Sequence, residues 1–317
     1  MTISMAFTLL ALAAQASAQT PAAKSARGPS PDTTTAIATQ VALDRAGFSS
    51  GVVDGKMGMN TRKAMEAYRA REGREIEPSA EPLVEYRITE QDAAGPFTQT
   101  IPDDLVEQSK LQALEYKSVD EMIAERFHTT PAALRQLNPA TTFAAGDAIM
   151  VPNVEPMTRP AAQPAPSATK PVGTAGRADP KSGVVTVSKA ARTATFADET
   201  GKVMFFAPVT TGSENDPLPI GEWKVNGVQF NPTFRYNPEL FWDADPSHTK
   251  AKIPPGPNGP VGLVWIDISK EHYGLHGTPE PSSIGRTESH GCVRLTNWDA
   301  LRLASLVGPG TRVVFTE

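Results

Sequence analysis

The sequence predicts a multidomain chain, with a small all-α unit near the N-terminus, a small α+β module after it, and a mainly β domain at the C-terminal end. Three observations lead there. The 317 residues leave room for two or three domains of about 100 to 200 residues each. The 29 prolines lie far above the usual share of roughly 5% and mark linkers between folded parts. The apolar pattern also changes along the chain, from helical spacing before residue 155 to strand-like alternation after Gly183.

Residues 1–18 read as a signal peptide. An apolar run from Met5 to Ala14 precedes Ala16-Ser17-Ala18, an A-x-A cleavage pattern. The run is shorter than the about 20 residues needed to span a bilayer, so no transmembrane helix is expected in the mature chain. Residues 19–35, rich in Ala, Pro, Ser and Thr without an apolar period, read as a disordered tether. The net charge of −5 and the lack of a dense Lys/Arg block exclude a nucleic-acid partner. A single cysteine excludes an internal disulfide framework and leaves one thiol, either buried and inert or reactive.

Residues 36–75 form the helical unit. Ile37, Val41 and Ala42 share one helical face. Gly47-Phe48 and Gly51-Val52-Val53-Asp54-Gly55 make turns, and a second helix, capped by Asn60 or Thr61, buries Ala64, Met65 and Tyr68. The stretch VALDRAGFSSGVVDGKMGMNTRKAMEAYRAREG resembles the peptidoglycan-binding type 1 pattern, with its Asp-Gly turn between helices. Asp54, Gly55, Gly58 and Thr61 fit turn and cap roles there.

Residues 76–113 contain a strand over 83–89 and no interpretable motif. In residues 114–154, Ser118-Val119-Asp120-Glu121 opens a helix as a capping box, and Thr130-Pro131 opens another. Strands at 114–117 and 148–152 would flank them in β-α-α-β order. The string YKSVDEMIAERFHTTPAALRQLNPATTFAAGDAIMVPN resembles a LysM module, with Val119-Asp120 where that family has Gly-Asp. Residues 155–180 read as a Pro/Ala linker separating this half from the rest.

Residues 181–317 make the β domain. Strands are expected at 184–188, 193–197, 203–210, 223–228, 263–268 and 312–315. One helix carries Trp298, Leu301 and Ala304, opens at Thr296 or Asn297 and stops at Gly308-Pro309.

The segment YGLHGTPEPSSIGRTESHGCVRLTN concentrates the unusual residues. Three of the five histidines, His272, His276 and His290, lie within 20 positions of Cys292. A free thiol is mostly protonated at neutral pH, and a nearby imidazole can take its proton to give a Cys⁻/His⁺ pair. His276 reaches Cys292 across the Pro/Ser/Gly-rich loop. His290 and Arg294, each two positions from Cys292, would share its face of a strand. Gly291 leaves room for a substrate carbonyl, and the N–H groups of Gly291 and Cys292 would stabilise an oxyanion. Arg294 could hold a carboxylate. His128 and His248 read as incidental.

These residues resemble the signature H-G-x(n)-S-H-G-C-x-[RN] of the L,D-transpeptidase family, the YkuD-type catalytic domain. The positions are His276, Gly277, Ser289, His290, Gly291, Cys292 and Arg294. TTGSENDPLPIGEWKV and NWDALRLASLVGPGTRVVF are similar to further parts of that domain, with Leu218-Pro219-Ile220-Gly221 where the family has Thr-Pro-x-Gly. The resemblance implies a β-sandwich-like domain in which Cys292 is the nucleophile. His276 is the general base, oriented by a carbonyl such as that of Gly277, while His290 and Ser289 shape the site. It also implies peptidoglycan stem peptides and glycan as partners, a wall-anchored protein lysine as one acceptor, a periplasmic or extracytoplasmic location and no cofactor or metal. The reaction would form 3→3 cross-links through a thioester.

Two other functions use the same residues: an L,D-carboxypeptidase with water as acceptor, and a wall-binding scaffold without activity. A zinc site on Cys292 and the His272/His276 pair is the chemical rival.

Overall fold

The computed structural model describes residues 30–160 and 182–317. The expected signal peptide, most of the tether and residues 161–180 of the expected linker lie outside them. The tether ends sooner than expected, because helix α1 (Pro31–Arg45) begins at Pro31. Ser30-Pro31 is a cap and first-residue pair, with Ser30 Oγ accepting from the Thr33 amide at 3.3 Å.

Helix α2 (Met59–Glu72) follows Gly58, and neither Asn60 nor Thr61 caps it. Asn60 Nδ2 instead donates to the Ile284 carbonyl at 3.1 Å, and Thr61 Oγ donates to the Lys56 carbonyl at 3.3 Å. Between the helices, the chain wraps around the buried Gln40. Its Oε1 accepts from the Asp54 and Gly55 amides at 3.1 and 2.9 Å, and its Nε2 donates to Asp54 Oδ1 at 3.0 Å. Gly55 has φ +72, and a Cβ there would come within 2.5 Å of Thr33, so only glycine fits the turn.

Next come strand β1 (Leu83–Arg87) and helices α3 (Glu90–Ala94), α4 (Leu105–Gln108), α5 (Val119–Arg126) and α6 (Pro131–Leu137), then strand β2 (Ala148–Pro152). β1 pairs antiparallel with β2, from Leu83 opposite Pro152 to Arg87 opposite Ala148. The strand expected at 114–117 is therefore supplied by 83–87, and 88–118 is an insertion between β1 and α5. Residues 114–117 are not free to pair with β2: the Leu114 amide donates to Pro255 O and its carbonyl accepts from the Asn258 amide, both at 3.0 Å. The capping box at Ser118 is also altered, since Ser118 Oγ donates to Asp120 and Glu121 accepts from the Lys117 amide. Thr130 does cap α6, accepting from the Ala133 amide at 3.2 Å. Ile37 and Val41 of α1 share one buried cluster with Ile123, Leu134, Ile149 and Val151, so the two N-terminal units have a common core.

The C-terminal domain contains β3 (Gly183–Ser188), β4 (Thr193–Asp198), β5 (Val203–Pro208), β6 (Gly221–Phe230), β7 (Phe234–Tyr236), β8 (Ala251–Ile253), β9 (Val264–Ile268), β10 (Gly274–His276), β11 (Val293–Arg294), helix α7 (Asn297–Leu306) and β12 (Arg312–Thr316). Eight strands form one sheet in the order β11-β10-β9-β6-β12-β3-β4-β5, while β7 and β8 pair separately. β6 makes the turn of the sheet. Residues 221–224 pair with β12 and residues 225–230 with β9, with a register shift between Val225 and Gly227. The expected mainly β domain is thus one continuous sheet that curls at β6. Val185, Val187, Phe205, Ile266, Leu303 and Phe315 belong to its core. Thr296 caps α7 through the Asp299 amide at 3.1 Å.

The N-terminal half is not held apart from this sheet. Phe48 adds to the edge at β5: the Ser49 amide donates to Phe206 O at 2.8 Å, and the Phe206 amide to Gly47 O at 2.9 Å. An unpaired strand edge is covered in this way. Ser49 Oγ donates to Asp299 Oδ2 at 2.9 Å, and Arg302 donates to the Asp44 carbonyl at 2.8 Å. His128 is buried, 2.9 Å from Asp44 Oδ2 through Nδ1 and stacked on Trp298 at 5.2 Å. His248 lies 2.9 Å from both Tyr236 OH and Asp104 Oδ2. Neither histidine is incidental. Residues 155–160 also pack, with the Met157 amide donating to Arg126 O and Arg159 paired with Glu115.

Candidate active site

The turn from Ser289 to Cys292 is built by backbone and side chain together. The Ser289 amide donates to Thr211 O at 2.9 Å, its carbonyl accepts from the Ser213 amide at 3.1 Å, and its hydroxyl donates to the Cys292 carbonyl at 2.6 Å. Gly291 has φ +98, and a Cβ on it would lie 2.6 Å from the Tyr273 ring. The missing side chain accommodates Tyr273, where a substrate carbonyl was expected. Positive φ also breaks strand alternation, so His290 and Cys292 do not share a strand face. His290 turns to the loop after β7, with Nε2 2.8 Å from Asp243 Oδ1 and its ring 5.0 Å from that of Phe241.

His276 ends β10, which runs parallel to β11 with Leu275 opposite Val293 and His276 opposite Arg294. Its Nδ1 lies 2.7 Å from the Gly277 carbonyl, the carbonyl to which the resemblance pointed. A carbonyl only accepts, so Nδ1 carries the proton and Nε2 of the neutral ring keeps its lone pair. Trp265 stacks on the imidazole at 5.5 Å. Burial, and then the Arg294 charge, hold the His276 pKa down to about 3, against the opposing hydrogen bond to Gly277. Gly277 must be glycine, because Asn297 Oδ1 lies 2.0 Å from where its Cβ would stand. Asn297 is held there by the Leu263 amide at 3.0 Å and the Pro257 carbonyl at 3.1 Å.

Cys292 is partly exposed. Burial of its sulfur pushes the thiol up to about 11, against a hydrogen bond with the Gly274 backbone and the Arg294 charge. Sγ lies 3.7 Å from the His272 carbonyl, to which the thiol donates. Burial favours the neutral form of both the thiol and the imidazole, against the Cys⁻/His⁺ pair expected from the sequence. Arg294 bears on both groups. Its guanidinium makes no ion pair or hydrogen bond among the described residues.

Tyr273, Trp265, Asn297 and Asp243 were not found by sequence reasoning. Each reaches the site from a strand end, a helix start or a distant loop, and nothing in its neighbours along the chain marks it. The His272 imidazole lies 3.5 Å from Glu271, and only its backbone meets Cys292. Among the described residues, no three His, Cys, Asp or Glu side chains gather to hold a metal.

Comparison with known proteins places the C-terminal domain in a family. The family model of the YkuD L,D-transpeptidase catalytic domain matches residues 182–315. The protein named L,D-transpeptidase YkuD of Bacillus licheniformis is 32% identical over 200 residues, covering 62% of this chain and 92% of that protein. Its namesake in Bacillus subtilis is 31% identical over 198 residues, with the same coverage of 62% and 92%. A solved L,D-transpeptidase from Mycobacterium smegmatis aligns with a TM-score of 0.35 at 19% identity, over 43% of this chain and 58% of that one.

Proposed function

The chain belongs to the YkuD-type L,D-transpeptidase family, and from that premise we propose that it exchanges peptide bonds in peptidoglycan stems, forming 3→3 cross-links through a Cys292 thioester. The observation that carries this is the pairing of β10 with β11. It brings His276, whose Nε2 carries no proton, opposite Arg294, two positions along the chain from Cys292, which supports the pairing of thiol and imidazole that the reaction needs.

Cys292 Sγ attacks the carbonyl of the third, diamino-acid residue of a stem tetrapeptide, and the thiol proton passes to His276 Nε2. A thiol near 11 gives little thiolate at rest, so transfer to the imidazole accompanies attack. The oxyanion is received by the amides of Gly291 and Cys292, which donate no hydrogen bond among the described residues. The C–N bond breaks, D-alanine leaves with the proton from His276, and a thioester remains. The side-chain amine of a second stem then attacks the thioester. A C–N bond forms, the C–S bond breaks, and the amine's proton returns by way of His276 to the thiol. Ser289 holds the turn, the Asp243 contact holds His290, and Arg294 takes a substrate carboxylate.

This chemistry belongs outside the cytoplasm, at the cell wall. Among the described residues no helix is long and apolar enough to cross a membrane. The strand-helix-helix-strand unit and the α1–α2 pair, with their resemblance to wall-binding modules, are assigned to holding glycan. Mass spectrometry of products from purified disaccharide-tetrapeptide tests the reading, with Cys292→Ala as control. Cysteine-dependent dimer and free D-alanine are expected. Tripeptide alone would make the enzyme a carboxypeptidase, and no cysteine-dependent product would leave a scaffold.

A further inference from the structure

Trp242 is 62% exposed, and Leu240 beside it is 46% exposed. The indole leaves a large flat apolar surface open to a ligand at the edge of the catalytic turn. The loop that carries it is well anchored. Phe241 packs on Tyr236 at 5.4 Å between ring centres, and Tyr236 OH lies 2.9 Å from His248, which in turn lies 2.9 Å from Asp104. Asp104 caps α4 in the insertion of the N-terminal half. Tyr236 and Ile253 form a buried cluster with Leu114 from that insertion, and Leu105 packs against it. Insertions from both halves thus make one lobe.

The lobe meets the catalytic turn at His290. The imidazole lies 5.0 Å from the Phe241 ring and 6.3 Å from the Trp242 ring, and its Nε2 is 2.8 Å from Asp243 Oδ1. Asp243 Oδ2 has no hydrogen-bond partner among the described residues. The indole is therefore held beside the residue two positions from Cys292, next to an unused carboxylate oxygen.

We propose that Trp242 is a stacking platform for a sugar ring of the glycan that carries the stem peptide, with Asp243 accepting from its hydroxyl or amide groups. This rests on the reading that Cys292 acts on peptidoglycan stems. A pyranose has a face of C–H groups that suits a flat aromatic surface and an edge of donors that suits a carboxylate. A cation would compete for the indole, but Glu239 and Asp245 are already engaged, and Asp243 keeps one oxygen for a donor. Glu239 pairs with Lys250 at 3.1 Å, Asp245 accepts from Ser247 at 2.7 Å, and Asp243 Oδ1 faces His290. A neutral ring is the better match.

Calorimetry on the full chain carrying Cys292→Ala, with disaccharide-tetrapeptide and sugar-free tetrapeptide as ligands, separates this from the catalytic reading. The disaccharide form should bind more tightly. Adding Trp242→Ala should weaken it by about tenfold and leave the free peptide unchanged, with partial recovery in Trp242→Phe. Equal weakening of both ligands, or of neither, would overturn the platform. Turnover is not measured here. Absence of cysteine-dependent product from the unsubstituted chain would overturn the chemistry of Cys292, while a sugar-specific loss at Trp242 would still stand.

Discussion

Among the described residues, the polar groups at the junction between the halves and those at the catalytic turn differ in how they are paired. At the junction between the halves, the ionisable groups have partners: Asp44 meets His128, and Asp299 accepts from Ser49 and Thr296 at 2.9 and 2.7 Å. At the catalytic turn, partners are withheld. Nε2 of His276 keeps its lone pair, Arg294 has no ion pair or hydrogen bond from its guanidinium, and the Gly291 and Cys292 amides donate to nothing among the described residues. Buried polar groups left unpaired cost free energy; the junction carries that cost at Ser50 Oγ and Trp298 Nε1, while the open groups of the catalytic turn stay available to a ligand.

The sharpest way to break this contrast is at His276. His276→Gln keeps a polar side chain but removes the base, and D-alanine release should fall by about 10²- to 10⁴-fold, read as initial rates at neutral pH. A loss below threefold would place the base elsewhere. The junction should respond in stability. Phe48 is fully buried, 5.6 Å from the Tyr68 ring and 6.2 Å from that of Phe206. Phe48→Ala should cost about 3 to 5 kcal/mol, seen in denaturant melts. A loss under about 1 kcal/mol would show that the halves do not depend on this contact.

The smallest effect concerns pH. Burial raises the Asp299 carboxyl to about 7, and the Asp44 charge adds to the rise, against hydrogen bonds from Thr296 and Ser49. The folded chain keeps this proton, whereas the unfolded chain loses it above about pH 4. Stability from this group is therefore present at acid pH and lost as pH rises toward 7, at no more than about 1.4 kcal/mol per pH unit. Asp299→Asn should flatten that slope between pH 5 and 7 in thermal melts. An unchanged slope would mean that Asp299 is ionised in the folded chain.

The six long strands of the catalytic domain and helix α7 were legible because each carries its own alternation or cap, and S-H-G-C stood out because unusual residues crowd one short segment. The strand β1 was visible, but its partner was misassigned, since pairing depends on which segments meet. Leu114 had strand-like neighbours and yet spends its backbone on Pro255 and Asn258.

By itself, the sequence determined the order of most helices and strands, and it singled out Cys292 and His276 as the candidate nucleophile and base, because residue type and local spacing are written in the chain. Only the tertiary structure decided the rest. Tyr273 fills the space over Gly291, a 2.7 Å bond fixes the His276 tautomer, and His128 becomes a joint between halves. The physical reason is that burial and partnership decide protonation and packing, and both depend on residues brought together from far apart in the chain.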